Sequence, residues 1–297
     1  MSTTIFPSNL SGFTSVFLLG IAEVANRIES YARSKYFLPQ DTTFMRIDED
    51  TIDAFMPQGL ISMCWTQWRA ERALAKRGIR FRTTNESDAK SAYAAMTDEE
   101  FAAINGRQAW ANWRTIPRCL NGTVPDQPIT VVDLGCGTGP STQVLAHYCP
   151  PGSRILGYEL AAPLVDIART RTYRHRDGDL VDVQFVCQPV TETLRGPDGE
   201  PLPAHSVDVV NASGVVGHHL TVDMLASLAA ELRRVLTADG IAMLDIGPKL
   251  RAPVLVNTMT REGFGVLSHH RSCFLDPTGE IVFQVRGSSK RRRVADA

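Results

Sequence analysis

Hydrophobic positions along the chain follow two different periods, and the change occurs near Asn121-Gly122. Before this point, apolar residues recur at helical spacing, as at Leu60, Met63 and Cys64. After it, short apolar runs alternate with amphipathic stretches, which is typical of parallel strands joined by helices. The pattern predicts about four to six N-terminal helices without a convincing strand, followed by an α/β domain.

Runs of apolar residues with the length of strands follow one another in the second part of the chain. Stretches of helical period separate the first three runs, lie between the fourth and fifth, and follow the fifth. A final pair of alternating segments favours a closing hairpin. The predicted strands are 129–134, 154–159, 181–187, 206–212 and 241–247, the helices 140–149, 162–176, 221–237 (stopped by 238–240) and 249–262, and the hairpin 263–276 with 280–287.

The boundary between the two patterns lies in the turn-rich segment NGTVPDQP (121–128), whose Gly and Pro residues favour a linker. Upstream of it, Thr97 and Glu100 form a capping-box signature that predicts the start of a helix. We therefore divide the chain into a helical N-terminal domain (1–120), an α/β domain (121–288) and a basic tail (289–297).

Composition narrows the class of protein. A chain of 297 residues that is 43% hydrophobic can bury a large core. A formal net charge of -1 gives no electrostatic reason to expect a nucleic acid or an anionic membrane as partner. The apolar stretch 13–22 is too short to span a bilayer and follows no positively charged segment. Six cysteines without CxxC spacing favour free thiols in a reducing cytoplasm over zinc or redox sites.

The motif VVDLGCGTGPST (131–142) places three glycines directly after a predicted buried strand. In a doubly wound sheet, ligands bind beyond the carboxyl ends of the strands, and glycine there lets a ligand approach the backbone. A dinucleotide fingerprint would need a glycine at position 140, which is Pro140. The spacing G-x-G-x-G therefore predicts a ligand loop and disfavours a nicotinamide dinucleotide.

This motif closely resembles the first motif of the class I methyltransferases that use S-adenosylmethionine (SAM). The resemblance covers residues 120–290 approximately and includes Glu159 at the end of the second strand, the stretch 206–247 with its His-His pair, and the closing hairpin. It implies a seven-stranded doubly wound α/β sheet with a reversed last strand. It also implies SAM as the cofactor and methyl transfer as the activity.

The resemblance assigns the cofactor contacts residue by residue. Glu159 corresponds to the family's acid that accepts both ribose hydroxyls. Many members carry an Asp after the third strand for the adenine amino group, whereas this chain has Gln188 and Pro189; the Gln188 amide can still accept from that amino group and donate to a ring nitrogen. The implied cofactor-binding residues are Asp133, Gly135, Cys136, Gly137, Thr138, Gly139, Glu159, Leu160, Gln188, Pro189 and Asn211.

By the same resemblance, the loop after strand four lies beside the transferred methyl group, which makes His218 and His219 the candidate catalytic bases. Packing of one ring, with a backbone carbonyl as partner of the other, is the structural alternative.

A second pair, His269-His270, raises the option of iron held by one histidine from each region, as in SAM enzymes that methylate the carbon beside a 2-keto acid. Strand alternation allows at most one of that pair to join, and no carboxylate completes a facial triad, so we predict no metal.

Aromatic and basic residues recur at helical spacing near the end of the N-terminal domain. Trp110, Trp113 and Arg114 are predicted to form a substrate-facing lid, with ordinary packing as the alternative. Arg107 and Arg114 can grip a substrate carboxylate. The resemblance implies that N-terminal additions of this kind cover the acceptor pocket or form a homodimer.

These observations predict a cytoplasmic SAM-dependent methyltransferase acting on a small molecule, in specialised metabolism. A metal-assisted C-methyltransferase of a 2-keto acid is the first alternative. A nucleic-acid methyltransferase is disfavoured because residues 211–214 read NASG in place of a base-stacking tetrapeptide. A SAM-binding protein without catalysis is the third alternative, and the acceptor atom stays open.

Overall fold

The computed structural model describes residues 60–270 and 279–287. The apolar stretch 13–22, the basic tail and Cys273 lie outside the described residues. The helices are α1 (Leu60–Lys76), α2 (Glu86–Ala94), α3 (Asp98–Leu120), α4 (Pro140–Tyr148), α5 (Ala162–Thr170), α6 (Val216–His219), α7 (Val222–Val235) and α8 (Ala252–Arg261). The strands are β1 (Thr130–Leu134), β2 (Arg154–Glu159), β3 (Asp182–Cys187), β4 (Val207–Ala212), β5 (Leu236–Ile246), β6 (Phe264–His270) and β7 (Gly279–Val285).

The seven strands form one sheet in the order β3-β2-β1-β4-β5-β7-β6. Strands β1 to β5 pair in parallel, and β7 runs antiparallel to both β5 and β6. The predicted doubly wound sheet with a reversed last strand is confirmed. Because β1 lies between β2 and β4, the strand order reverses at β1, and the crevice for a ligand opens at its carboxyl end.

The sheet is covered on both faces, which explains the nearly continuous burial of its central strands. One cluster packs α7 and α8 against the sheet through residues such as Leu228 and Leu255. The other packs α3 and α4 through residues such as Ile116 and Val144. Helix α3 therefore belongs to the same core as β1, although it precedes the linker.

The N-terminal helices begin at well-formed caps. Thr97 Oγ1 accepts from Glu100 N, and Glu100 Oε2 accepts from Thr97 N, which confirms the predicted capping box of α3. Asn85 Oδ1 accepts from Asp88 N and caps α2. Residues 60–120 contain no strand, as predicted. Among the described helices, none is both long enough and apolar enough to cross a membrane.

Two predicted boundaries are wrong. The helix predicted over 162–176 ends at Thr170, because Arg171 is extended and Tyr173 folds back to donate to Ala168 O at 2.9 Å. The helix predicted over 221–237 ends at Val235, and the turn-like residues after it lie inside β5. Leu236 pairs with Val207 there, next to an irregularity in the register.

Candidate functional site

The glycine loop follows β1 with a left-handed backbone at Gly135, Gly137 and Gly139, whose φ values are 67°, 56° and 94°. The side chain of any other residue would be strained in this conformation. Space is also short, because a methyl group added at Gly137 would collide with the ring of Phe101. The loop is thus a backbone surface, as predicted, and Phe101 from α3 lies directly against it.

Glu159 lies beside this loop with only 7% of its surface exposed. Its Oε2 accepts from Gly137 N at 3.1 Å, and its Oε1 accepts from Ala161 N at 2.9 Å. Burial raises the pKa of the carboxyl group, and the hydrogen bonds from backbone N–H groups oppose that rise. A buried carboxylate that also lines a cavity suits two ribose hydroxyl donors.

Asp133 and Asn211 lie behind the glycine loop and are fully buried. Asp133 Oδ1 accepts from Asn211 Nδ2 at 2.7 Å, and its Oδ2 accepts from the hydroxyls of Ser141 and Thr142 on α4. Burial raises the pKa of Asp133, and these three donors oppose that rise. Both oxygens are therefore engaged within the protein, and the pair holds the loop between β1, β4 and α4.

The other predicted cofactor residues flank the loop. Burial raises the pKa of the Cys136 thiol well above its usual value, which leaves it neutral. Thr138 Oγ1 accepts from Arg171 at 3.1 Å. Leu160 and Pro189 line the cavity described below. The side chain of Gln188 bonds within its own loop and does not line that cavity.

A cavity of about 90 Å³ lies at the carboxyl ends of β1 and β2. The ligand pockets of proteins are commonly about 300–1,000 Å³, so a whole SAM molecule requires part of the cover to move. The cover is the N-terminal segment 83–101 (the cap), which includes α2. The residues around the cavity are Thr83, Thr84, Asn85, Glu86, Ala89, Tyr93, Gly135, Glu159, Leu160, Pro189, Val190, Thr191, Val215, His219, Leu220 and Met224.

A larger groove of about 1020 Å³ opens between the C-terminal end of α3 and β6. Neither the glycine loop nor Glu159 nor the His218-His219 pair lines it. We therefore place the functional site in the smaller cavity, where the buried acid and the ligand loop meet.

His219 lies between the sheet domain and the cap. Its Nδ1 is 3.0 Å from Thr83 O, and because a carbonyl only accepts, Nδ1 carries the hydrogen. The lone pair of Nε2 then faces Tyr93, whose hydroxyl donates to it at 3.1 Å. Burial foremost, with a contribution from neighbouring His218, lowers the pKa of His219. Burial raises the pKa of Tyr93, so this pair is neutral near pH 7.

Asp245, at the end of β5, fixes the turn that carries both histidines. Its two oxygens accept from the backbone N–H groups of Val215, Val216 and Gly217 at 2.8 to 3.0 Å. His218 Nε2 lies 3.9 Å from Asp245 Oδ2, and 41% of the His218 side chain is exposed. Of the two candidate bases, only His219 lines the cavity.

Trp110, Trp113 and Arg114 are all buried and do not line the cavity. The Arg114 guanidinium stacks on Trp110 at 3.6 Å, and Trp113 packs edge-on against His147 of α4. Their geometry matches the packing alternative, and their predicted substrate contact stays a prediction.

The second histidine pair lies on β6. His270 pairs in register with Glu280, and its Nε2 is 3.2 Å from Ser268 Oγ. Within residues 60–270 and 279–287, no group of three or more His, Cys, Asp or Glu side chains could hold a metal ion.

Sequence reasoning missed the residues that close the cavity and orient the histidines. Tyr93, Phe101 and Thr83 meet the glycine loop and His219 through contacts distant in sequence, so no local pattern marks them. The sequence does mark Asp245 as a candidate site residue, because it lies at the end of a central parallel strand on the ligand side of the sheet.

Residues 131–240 match the family model described as a methyltransferase domain. A curated relative, an uncharacterized methyltransferase of Emericella nidulans, is 30% identical over 118 residues, which are 38% of this chain and 41% of the relative. The chain thus spans less than half the length of this relative.

Among solved structures, the trans-methyltransferase CalH in complex with SAH is similar, with a TM-score of 0.52 and 14% identity over 76% of this chain and 67% of CalH. Magnesium protoporphyrin IX methyltransferase of Synechocystis PCC 6803, with bound SAM, has a TM-score of 0.49 and 14% identity over 67% of this chain and 96% of that protein. The match over residues 131–240 supports the predicted methyltransferase domain, and the likeness to CalH agrees with the predicted fold.

Proposed function

We propose that this chain, whose residues 131–240 match a methyltransferase domain, uses SAM to methylate a small-molecule acceptor with His219 as the base. The observation that carries this proposal is the partly covered site in which Gly135 of the glycine loop, Glu159 and His219 meet under the cap. A concave site of this kind is typical of small-molecule binding.

SAM, when bound, supplies an electrophilic methyl group. The chain holds the adenosyl part through Glu159, and the glycine loop receives the ligand once the ring of Phe101 has moved off it. The cap excludes water and aligns the acceptor, which is the main task in an in-line displacement. His219 Nε2 takes a proton from an acceptor that must lose one, while Nδ1 keeps its hydrogen on Thr83 O.

The alternatives have less support. A nucleic-acid substrate would have to reach His219 past Tyr93 and α2, and the net charge of the chain is -1. A metal-assisted C-methyltransferase would need His270 next to the first histidine pair, and the hydrogen bond that the structure gives for His270 is with Ser268. A binding protein without catalysis would keep His219 only as the partner of Thr83 and Tyr93, and the turnover test below separates it from an enzyme.

Location, assembly and metabolic role are proposals of the same kind. Four of the described cysteines, Cys64, Cys136, Cys149 and Cys187, are free thiols, which supports a reducing cytoplasm. Trp65 and Trp68 stack at 4.9 Å with exposures of 58% and 46% on α1. This apolar surface supports a homodimer through the N-terminal helices. A role in specialised metabolism follows from the acceptor class and is tested with it.

The test combines binding and turnover. Calorimetry with S-adenosylhomocysteine (SAH) measures the cofactor site, and labelled SAM with a panel of small hydroxyl, amine and thiol acceptors, next to RNA and DNA, measures transfer. We expect SAH to bind and a small acceptor to be labelled. The His219→Asn variant should lower kcat about 100-fold or more with SAH affinity unchanged, and His218→Asn is the matched control. SAH binding without transfer to any acceptor would favour the non-catalytic alternative.

A further inference from the structure

The adenine end of the cofactor site lacks the acid that the family usually places after β3. Gln188 stands there, and both ends of its amide are engaged in its own loop. Its Nε2 donates to Pro189 O at 3.3 Å and to Thr193 O at 3.2 Å, and its Oε1 accepts from Arg195 N at 3.1 Å. These bonds stabilise the turn after β3 and direct the amide away from the cavity.

A carboxylate from the cap reaches the same place. Glu86, the first residue of α2, lines the cavity together with Leu160, Pro189 and Val190. Its Oε2 accepts from Thr191 Oγ1 at 3.0 Å, which ties α2 to the loop after β3. None of the residues that the structure describes donates to Glu86 Oε1.

We propose that Glu86 supplies the missing acid and accepts a hydrogen bond from the exocyclic amino group of adenine. This inference rests on the proposed SAM-dependent function. Leu160, Pro189 and Val190 give the purine ring apolar walls, and Oε1 offers an acceptor at its edge. A carboxylate accepts but does not donate, so it suits a 6-amino purine and repels a 6-oxo purine.

The position of Glu86 is compatible with opening of the cap. The side chains that block the rest of the cofactor site are Phe101, at the glycine loop, and Tyr93, at His219. Both lie at or beyond the last turn of α2, whereas Glu86 begins that helix. The cap can therefore open at the glycine loop while the contact between Glu86 and Thr191 persists.

The experiment compares SAH with S-inosylhomocysteine, which has an oxo group in place of the 6-amino group and a hydrogen on N1, by calorimetry on the full chain. We expect the unchanged protein to bind SAH at least about tenfold more tightly than the inosyl compound. The Glu86→Ala variant should bind SAH about tenfold more weakly, and its affinity for the inosyl compound should stay unchanged or increase. Asp88→Ala removes a charge from the same helical turn and should change neither affinity.

Other outcomes separate the possible failures. If Glu86 serves only to tie the cap to the loop after β3, Glu86→Ala and Thr191→Ala should lower the affinity for both ligands equally. That result would overturn the inference. If Glu86→Ala leaves SAH affinity unchanged in a protein with an unchanged melting temperature, the inference is also overturned and the proposed function stands. If the unchanged protein binds neither ligand, the proposed function itself fails.

Discussion

Gly135 combines a left-handed backbone with a close neighbour. Its φ is 67°, and an added methyl group would collide with Val215 Cγ2. We expect Gly135→Ala to lower SAH affinity and to cost more than the ~1 kcal/mol typical of backbone strain alone, as measured by urea unfolding and calorimetry. Gly178→Ala is the control, since φ there is 94° and nothing lies within 4 Å of the added carbon. Equal losses of stability and unchanged SAH affinity for both variants would contradict this account.

His219 makes a second prediction, about pH. Burial lowers its folded-state pKa below the usual 6.5, so below about pH 6.5 the unfolded chain binds a proton that the folded chain does not. The stability that neutral His219 contributes is present above that pH and is lost as the pH falls through the folded pKa. We expect urea unfolding between pH 7.5 and pH 5 to show a larger loss for the unchanged protein than for His219→Asn. If the free energy of unfolding falls equally with pH in the two proteins, this prediction is wrong.

The cap packs against the site through Phe101, which lies in the first turn of α3. Its ring lies on Gly137 and packs with Ala161 and Leu164. We expect Phe101→Leu to raise the association rate of SAH in stopped-flow measurements, because less of the cover must move. The free energy of unfolding should fall by about 1 kcal/mol. Phe264→Leu is a buried control far from the loop and should leave the rate unchanged; an unchanged rate for Phe101→Leu would show that the cap does not limit entry.

Elements were predictable from sequence where one local signal dominates. The run RILGYE gave the bounds of β2, and the pair Thr97 and Glu100 gave the start of α3. The predicted bounds are wrong where a tertiary contact outweighs the local pattern. Helix α5 ends early because Tyr173 folds back to Ala168, and α7 ends before Leu236 because that residue pairs with β4. The glycine loop could be predicted because it directly follows β1, and Glu159 because it ends β2 at the place of the acid in the family that the sequence resembles. The cap meets them through contacts distant in sequence, which no local pattern marks.

At the scale of the described molecule, one of the core clusters crosses the predicted boundary at residue 120. Trp113, Ile116 and Leu120 of α3 pack in the cluster that holds Val131 of β1. Burying each large apolar side chain contributes about 1.5–3 kcal/mol, so losing several removes much of a typical folding free energy of about 5–15 kcal/mol. We expect the fragment 121–297 to lack near-UV circular dichroism and to bind ANS, and the fragment 97–297, which keeps α3, to retain native packing. Cooperative unfolding of the shorter fragment would show that the domain folds alone.

Helix α2 touches the site at both ends, through Glu86 beside Thr191 and through Tyr93 on His219. Nine residues of helix form a rigid link between these contacts, so a displacement of Tyr93 pivots the helix about Glu86 and changes the angle at which the Glu86 carboxylate faces the cavity. The affinities for cofactor and acceptor then become linked quantities, and each ligand must change the affinity of the other by the same factor. The size of that shared factor is then a property of this one helix.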